Sequence, residues 1–170
     1  MNRQDTKIAK NFNIRRATID DAELLARLNE PVQQIHYEAR PDIFKPPAST
    51  PALIADFRDH LAQDDVCVFI GEADGEPIGY ILALIRERLE NPYCYGRREL
   101  LIDQISVNPE QRSRGYGEQL MRHVYALAKS LDIQTVMIGV WAFNERAIHL
   151  YEKQGFTARD IHMELHLEQT

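Results

Sequence analysis

A chain of 170 residues with 44% hydrophobic and 27% charged residues, 8 Gly and 8 Pro, has the composition of an ordinary globular domain, which excludes a low-complexity or disordered class. Its net charge of −6 argues against a nucleic-acid binder that relies on a broad basic surface, and it favours cationic ligands. No apolar run reaches the roughly 18 residues of a membrane span, and residues 1–16 lack the apolar core of a signal peptide, so a cytoplasmic protein without a membrane partner is expected.

Residues 1–11 are polar and expected to be loosely ordered, which leaves residues 12–170 as a single domain. Phe12 and Ile14 alternate with polar neighbours in a short first strand. Thr18 then has the place of a helix N-cap, with Asp21 as a capping-box acid, ahead of Ala22, Leu24, Leu25 and Leu28. Pro31 is expected to interrupt this helix or to begin a further turn through Val32, Ile35 and His36. Four prolines in residues 39–51 exclude regular structure and leave a rigid surface loop. Ser49 or Thr50 caps the next helix, with Pro51 near its first position and Leu53, Ile54, Phe57 and Leu61 on its apolar face.

Two apolar runs, residues 66–73 and 77–86, flank Asp74-Gly75-Glu76 and read as a hairpin with a DG turn. Cys67, inside the first run, is expected to be a buried small hydrophobe. Neither it nor Cys94 sits in a CxxC or Cys/His cluster, so neither a disulfide framework nor a metal site is indicated. Residues 86–98 are charged, contain Asn91-Pro92 and read as an exposed loop. Ile102, Ile105 and Val107 mark a central strand that Pro109 ends. Leu120, Met121, Val124, Leu127, Ala128 and Leu131 then recur at helical spacing. Residues 135–141, TVMIGVW, are a further strand; residues 144–154 form a short helix closed by Gly155; and the alternation of IHMELHL, residues 161–167, predicts a terminal strand. This order describes an α/β (α+β) chain, with a mixed, mostly antiparallel sheet of about six to seven strands flanked by helices.

Between the central strand and its helix lie Arg112, Ser113, Arg114, Gly115, Tyr116 and Gly117. Glycine inside a helix costs about 1 kcal/mol relative to alanine, so two of them at a helix start imply that something approaches the backbone closely. The first N–H groups of a helix lack partners within it and the dipole makes that end positive, so with Arg112 and Arg114 alongside the turn suits a phosphate. A dinucleotide fingerprint begun at Gly115 would want a small residue at Leu120, and a P-loop would want Gly-Lys-Ser/Thr; both fail. What remains is R-x-x-G-x-G, which by itself also fits a solvated basic turn with ordinary glycines.

That turn, together with W-x-x-N-x-x-A-I-x-L-Y-E-K-x-G-F from Trp141 to Phe156, resembles the GNAT superfamily of acyl-CoA-dependent N-acetyltransferases. The resemblance is strong over residues 101–158 and extends upstream in element order. It implies that the backbone of residues 112–117 binds the pyrophosphate of coenzyme A and that Ile105, Ser106 and Val107 line up with the pantetheine arm as a neighbouring strand would. Ile102 and Ile105 have opposite parity, and a β-bulge near Asp103-Gln104, common in the family, would reconcile them.

The resemblance also makes Asn144 a cofactor contact, where local chemistry reads a helix N-cap. It makes Tyr151 the general acid for the departing thiolate, where spacing alone reads packing beside Ala147, Ile148 and Leu150. The acceptor amine must be deprotonated before attack; Asp103, ahead of Glu99, is the candidate base, with a solvated strand residue as its plainer alternative.

The leading expectation is therefore transfer of an acetyl group from acetyl-CoA to a primary amine by direct attack. The competing expectations are a non-catalytic acyl-CoA sensor and a nucleotide-binding turn. The acceptor, a small-molecule or peptide amine, is not legible; by family analogy His36, Tyr37, Glu38 and Asp42 are candidate contacts. The terminal strand is able to pair with a second subunit in a homodimer.

Overall fold

The computed structural model describes residues 11–167 and divides into two compact units, the first ending at Gly139 and the second beginning at Val140. Of the segment set apart at residues 1–11, only Asn11 is among the described residues; its carbonyl accepts from the Asp74 N–H at 2.8 Å.

The first unit contains β1 (Phe12–Arg16), α1 (Ala22–Ala39), α2 (Pro51–Leu61), β2 (Val66–Ala73), β3 (Glu76–Arg88), β4 (Arg97–Val107), α3 (Tyr116–Ser130) and β5 (Val136–Ile138). The second contains α4 (Glu145–Lys153). The strands lie in the order β1-β2-β3-β4-β5, antiparallel as far as β4 and parallel between β4 and β5. The α/β class and the mixed, mostly antiparallel sheet are as the sequence predicts. No helix among the described residues is long and apolar enough to cross a membrane.

Local chemistry accounts for most of these elements. Asp74 and Gly75 have φ of 52° and 87°, the paired left-handed conformation that a two-residue turn between twisted strands requires. Thr50 caps α2, its hydroxyl accepting from Leu53 N at 3.2 Å, while Ser49 instead donates to Glu30 of α1 at 2.6 Å. Asp21 accepts from the Thr18 N–H at 2.8 Å and takes both terminal nitrogens of Arg15, tying the start of the first helical turn to β1.

Packing sorts the sheet into two faces. Val66, Val68, Ile70, Tyr80 and Leu82 share a core with Leu25, Ala26 and Leu28 of α1 and Phe57 of α2. On the other face α3 lies against β2, β3 and β4, with Leu120, Met121 and Val124 fully buried. Cys67 is buried, as its apolar setting predicts.

Three expectations are corrected. Pro31 does not break the first helix: α1 runs unbroken for 18 residues. The proline removes one backbone bond, and the burial of Leu25, Ala26 and Leu28 holds the helix regardless. The charged stretch 86–98 is not wholly loop, because β3 extends to Arg88 and β4 starts at Arg97. Arg86 faces Glu99 and Glu87 faces Arg98, so opposite charges continue the ladder where the apolar pattern stops. Finally, residues 161–167 form no ladder, and Ile161, Met163, Leu165 and Leu167 are 82–93% exposed. Among the described residues the sheet thus has five strands, not six to seven. Alternation supplies a face for a strand but not the edge it must pair with.

Candidate active site

The site begins at an irregularity in β4. Ile102 pairs with Ala83 and Gln104 with Leu82, so Asp103 is an extra residue in the β4 ladder, the bulge that the parity of Ile102 and Ile105 demands. On the other side β4 pairs with β5 only at Leu100, Leu101 and Ile102. The two parallel strands therefore part at the bulge, and the edge of β4 from Gln104 to Val107 is not taken up by β5. Ser106 on this stretch is buried, and its hydroxyl has no hydrogen-bond partner within the described residues.

The turn after β4 is built from strained backbone. Ser113 has φ 63° and Gly115 φ 81°, and Gly115 serves as N-cap of α3 without a side chain to occupy the first N–H groups of the helix. A Cβ at Gly115 would meet nothing within 4 Å, and one at Gly117 only Val107 Cγ2 at 3.9 Å. The glycines therefore leave open space above the helix start, where a phosphate has room to reach backbone donors. Arg112 is held back against the strand, its Nε donating to the Val107 carbonyl at 3.0 Å. The ring of Tyr116 is buried and stacks on Phe12, with centroids 4.8 Å apart, so its share in an anion site is its backbone alone. Arg114 is half-buried at the same turn.

The two carboxylates proposed for proton removal have different surroundings. Glu99 is buried and engaged by Arg97 at 2.6 Å and Arg88 at 3.5 Å, a structural ion pair. Asp103 is exposed at the bulge, where the strands part. Beside it runs a polar chain that pattern reading overlooked: Tyr80 donates to Gln104 Oε1 at 2.6 Å, and Asn29 donates to Tyr80 at 2.8 Å. The available signal was a polar residue within each apolar stretch, Asn29 after Leu28 and Tyr80 within IGYILAL, since buried polar groups require partners.

In the second unit Asn144 caps α4, its Oδ1 accepting from Ala147 N at 3.2 Å. Tyr151 is buried on that helix, and its ring meets Phe156 edge-on at 6.0 Å. The capping and packing readings of these residues are thus both realised.

Of the candidate acceptor contacts, His36 stacks on Phe44 at 4.8 Å, and burial holds its imidazole below the ordinary histidine value. Asp42 is bonded to Arg40 at 2.8 Å, and Glu38 accepts from Gln34 at 2.6 Å. Tyr37 is half-buried on α1. Gln33 Nε2 donates to the Lys45 carbonyl at 2.7 Å, which ties the proline-rich loop to α1.

Residues 30–156 match the model of the acetyltransferase (GNAT) family. An N-alpha-acetyltransferase of Sulfurisphaera tokodaii is 26% identical over 157 residues, covering 89% of this chain and 84% of the relative. An aminoglycoside N(6')-acetyltransferase type 1 of Klebsiella pneumoniae is 32% identical over 105 residues, 56% of this chain and 50% of that protein. Among solved structures, a tetramutant of the BH1408 protein from Bacillus halodurans superposes with a TM-score of 0.85 at 25% identity, over 91% of this chain and 99% of that one. The aminoglycoside N-acetyltransferase AAC(6')-Iy in complex with CoA gives 0.70 at 22% identity over 94% and 96%. The chain belongs to the GNAT family and is an acetyltransferase.

Proposed function

We propose that this protein transfers an acetyl group from acetyl-CoA to a primary amine by direct attack, acting as a cytoplasmic enzyme through a single acetyltransferase domain at residues 12–170. The observation that carries the reading is the parting of β4 from β5 at the bulge, directly before a turn of left-handed residues at a helix N-terminus. Acetyl-CoA supplies the activated thioester. The backbone of Ile105, Ser106 and Val107 pairs with the pantetheine arm, and the N–H groups of residues 113–117 hold the pyrophosphate, with Arg112 fixing the turn and Arg114 adding charge. Asn144 adds a further contact to the cofactor.

Asp103 takes the proton of the acceptor ammonium, because only the free amine has a lone pair to give. A C–N bond then forms as the C–S bond breaks, and Tyr151 gives its phenolic proton to the departing thiolate, an exchange between groups with ordinary pKa values of about 10 and 8.5; the second proton, which the nitrogen sheds as it becomes an amide, returns the phenolate to phenol. The acceptor is a small-molecule or peptide amine. Relatives named for aminoglycoside and N-alpha acetylation support both classes, and the net charge of −6 suits a cation. The exposure of Ile161, Met163, Leu165 and Leu167 supports a homodimer in which this segment pairs with a second subunit.

The test is thiol release from acetyl-CoA over a panel of aminoglycosides and peptides with free N-termini, alongside calorimetric titration with CoA. Turnover is expected with one class, and Tyr151→Phe should lower it about 100-fold while leaving CoA affinity within twofold. Tight CoA binding without release across the panel would leave a sensor, and no CoA binding would remove the reading altogether.

A further inference from the structure

Consecutive residues of a regular strand point to opposite faces of a sheet and do not meet. Asp103 and Gln104 do meet, with Gln104 Nε2 3.5 Å from Asp103 Oδ2, because Asp103 is the extra residue between Ile102, paired with Ala83, and Gln104, paired with Leu82. The Gln104 side chain is oriented from the other end. Its Oε1 accepts from the Tyr80 hydroxyl at 2.6 Å and lies 3.5 Å from Asn29 Nδ2. Asn29 Nδ2 also donates to the Tyr80 oxygen at 2.8 Å.

Two donors on one side fix which end of the amide is which. Were the amide reversed, its NH2 would face the Tyr80 hydroxyl and the Asn29 amide, and its oxygen would face a carboxylate. The NH2 would oppose the Asn29 amide and the oxygen would oppose the Asp103 carboxylate, in a site where Tyr80 is fully buried and Asn29 nearly so. Burial also holds the Tyr80 phenol above its ordinary range, with the charge on Asp103 acting in the same direction, so the hydroxyl stays a donor.

We propose that Gln104, polarised by Tyr80 and Asn29, is a positioning residue that holds the Asp103 carboxylate in the orientation from which it deprotonates the acceptor amine. The bulge thereby has a second function beyond parting two strands: it brings an exposed acid to the end of a buried hydrogen-bond chain anchored in α1. The proposal rests on the assignment of Asp103 as the base.

The test is a double-mutant cycle read by single-turnover kinetics, with acetyl-CoA and neamine as the probes, or a tripeptide with a free N-terminus where neamine is not turned over. Gln104→Met should lower the rate about tenfold, and Tyr80→Phe, which keeps the ring and removes only the hydroxyl, about threefold. The acetyl-CoA concentration that gives half the maximal single-turnover rate should stay within twofold for both. In an Asp103→Asn background, neither substitution should lower the rate further, because there is no longer a base to position. Equal losses in both backgrounds would show a general structural effect and overturn the proposal. A slow Asp103→Asn enzyme with an unimpaired Gln104→Met enzyme would overturn it while leaving the base in place. A fully active Asp103→Asn enzyme would remove the base assignment itself.

Discussion

Upstream of Asp103, β4 is held on both sides, by β3 and by β5, and its Leu100 and Ile102 are buried in the core. Downstream, Gln104 to Val107 keep only the β3 ladder, and β5 does not pair with them. In the proposed function the same strand serves stability in one half and binding in the other, and a single inserted residue separates them. Such a division predicts that the halves respond to mutation independently, since sites that share no partners contribute additively.

The largest expected effect tests the upstream half. Ile102→Ala removes a fully buried side chain at the β4–β5 junction and should cost about 2–5 kcal/mol in urea denaturation. CoA affinity of the folded protein should change less than twofold. A variant that kept its stability and lost CoA binding would show that the division at Asp103 is drawn in the wrong place.

The same division marks what pattern reading reaches. The bulge was legible because Ile102 and Ile105 cannot share a face of a regular strand, and the open glycine turn before α3 because glycines at a helix start are costly without a reason. The DG hairpin and the caps at Thr50 and Asn144 rest on local chemistry and were equally legible. The polar chain through Asn29, Tyr80 and Gln104 was not, because its members are 75 and 51 residues apart in pairs that only the folded sheet brings together. The unbroken passage of α1 through Pro31 was hidden for the same reason: tertiary burial overrode a local rule. The extension of β3 and β4 into charged sequence depended on cross-strand register, and the missing terminal strand on the absence of a partner edge, neither of which a one-dimensional pattern contains.

Acid titration supplies a contrast at the opposite edge of the sheet. The Asp21 carboxyl is held at about 2, first by its hydrogen bonds from Arg15, against the opposing effect of burial and with help from the Thr18 N–H. A depressed carboxyl stabilises the fold fully above its unfolded value of 3.8, and that contribution is lost as pH falls through about 2. Because Arg15 is about one-third exposed, at 35%, screening limits the pair to roughly 1 kcal/mol. Asp21→Asn should therefore destabilise the protein by that amount near neutral pH, and the gap from the parent protein should narrow as the solution is acidified below about pH 4. Turnover at neutral pH should be unaffected, since nothing in this pair touches β4; a large loss of turnover would mean that the two edges of the sheet are coupled.

The smallest change in stability is the most discriminating, because it comes with a change in affinity of opposite sign. Gly117 is the second residue of α3, its φ is not positive, and a methyl group there would meet only Val107 Cγ2 at 3.9 Å. Judged as a helix position, alanine should be better than glycine, and Gly117→Ala should raise the stability of the ligand-free protein by about 0.5–1 kcal/mol. Judged as a phosphate seat, the added methyl fills the space that lets an anion reach the backbone donors, and CoA affinity should fall about tenfold, or about 1.4 kcal/mol. A glycine retained only for flexibility would give no change in affinity, and one retained for packing would give a loss of stability. Only a site that gives up helix stability to keep its backbone accessible gives a more stable protein that binds CoA less well.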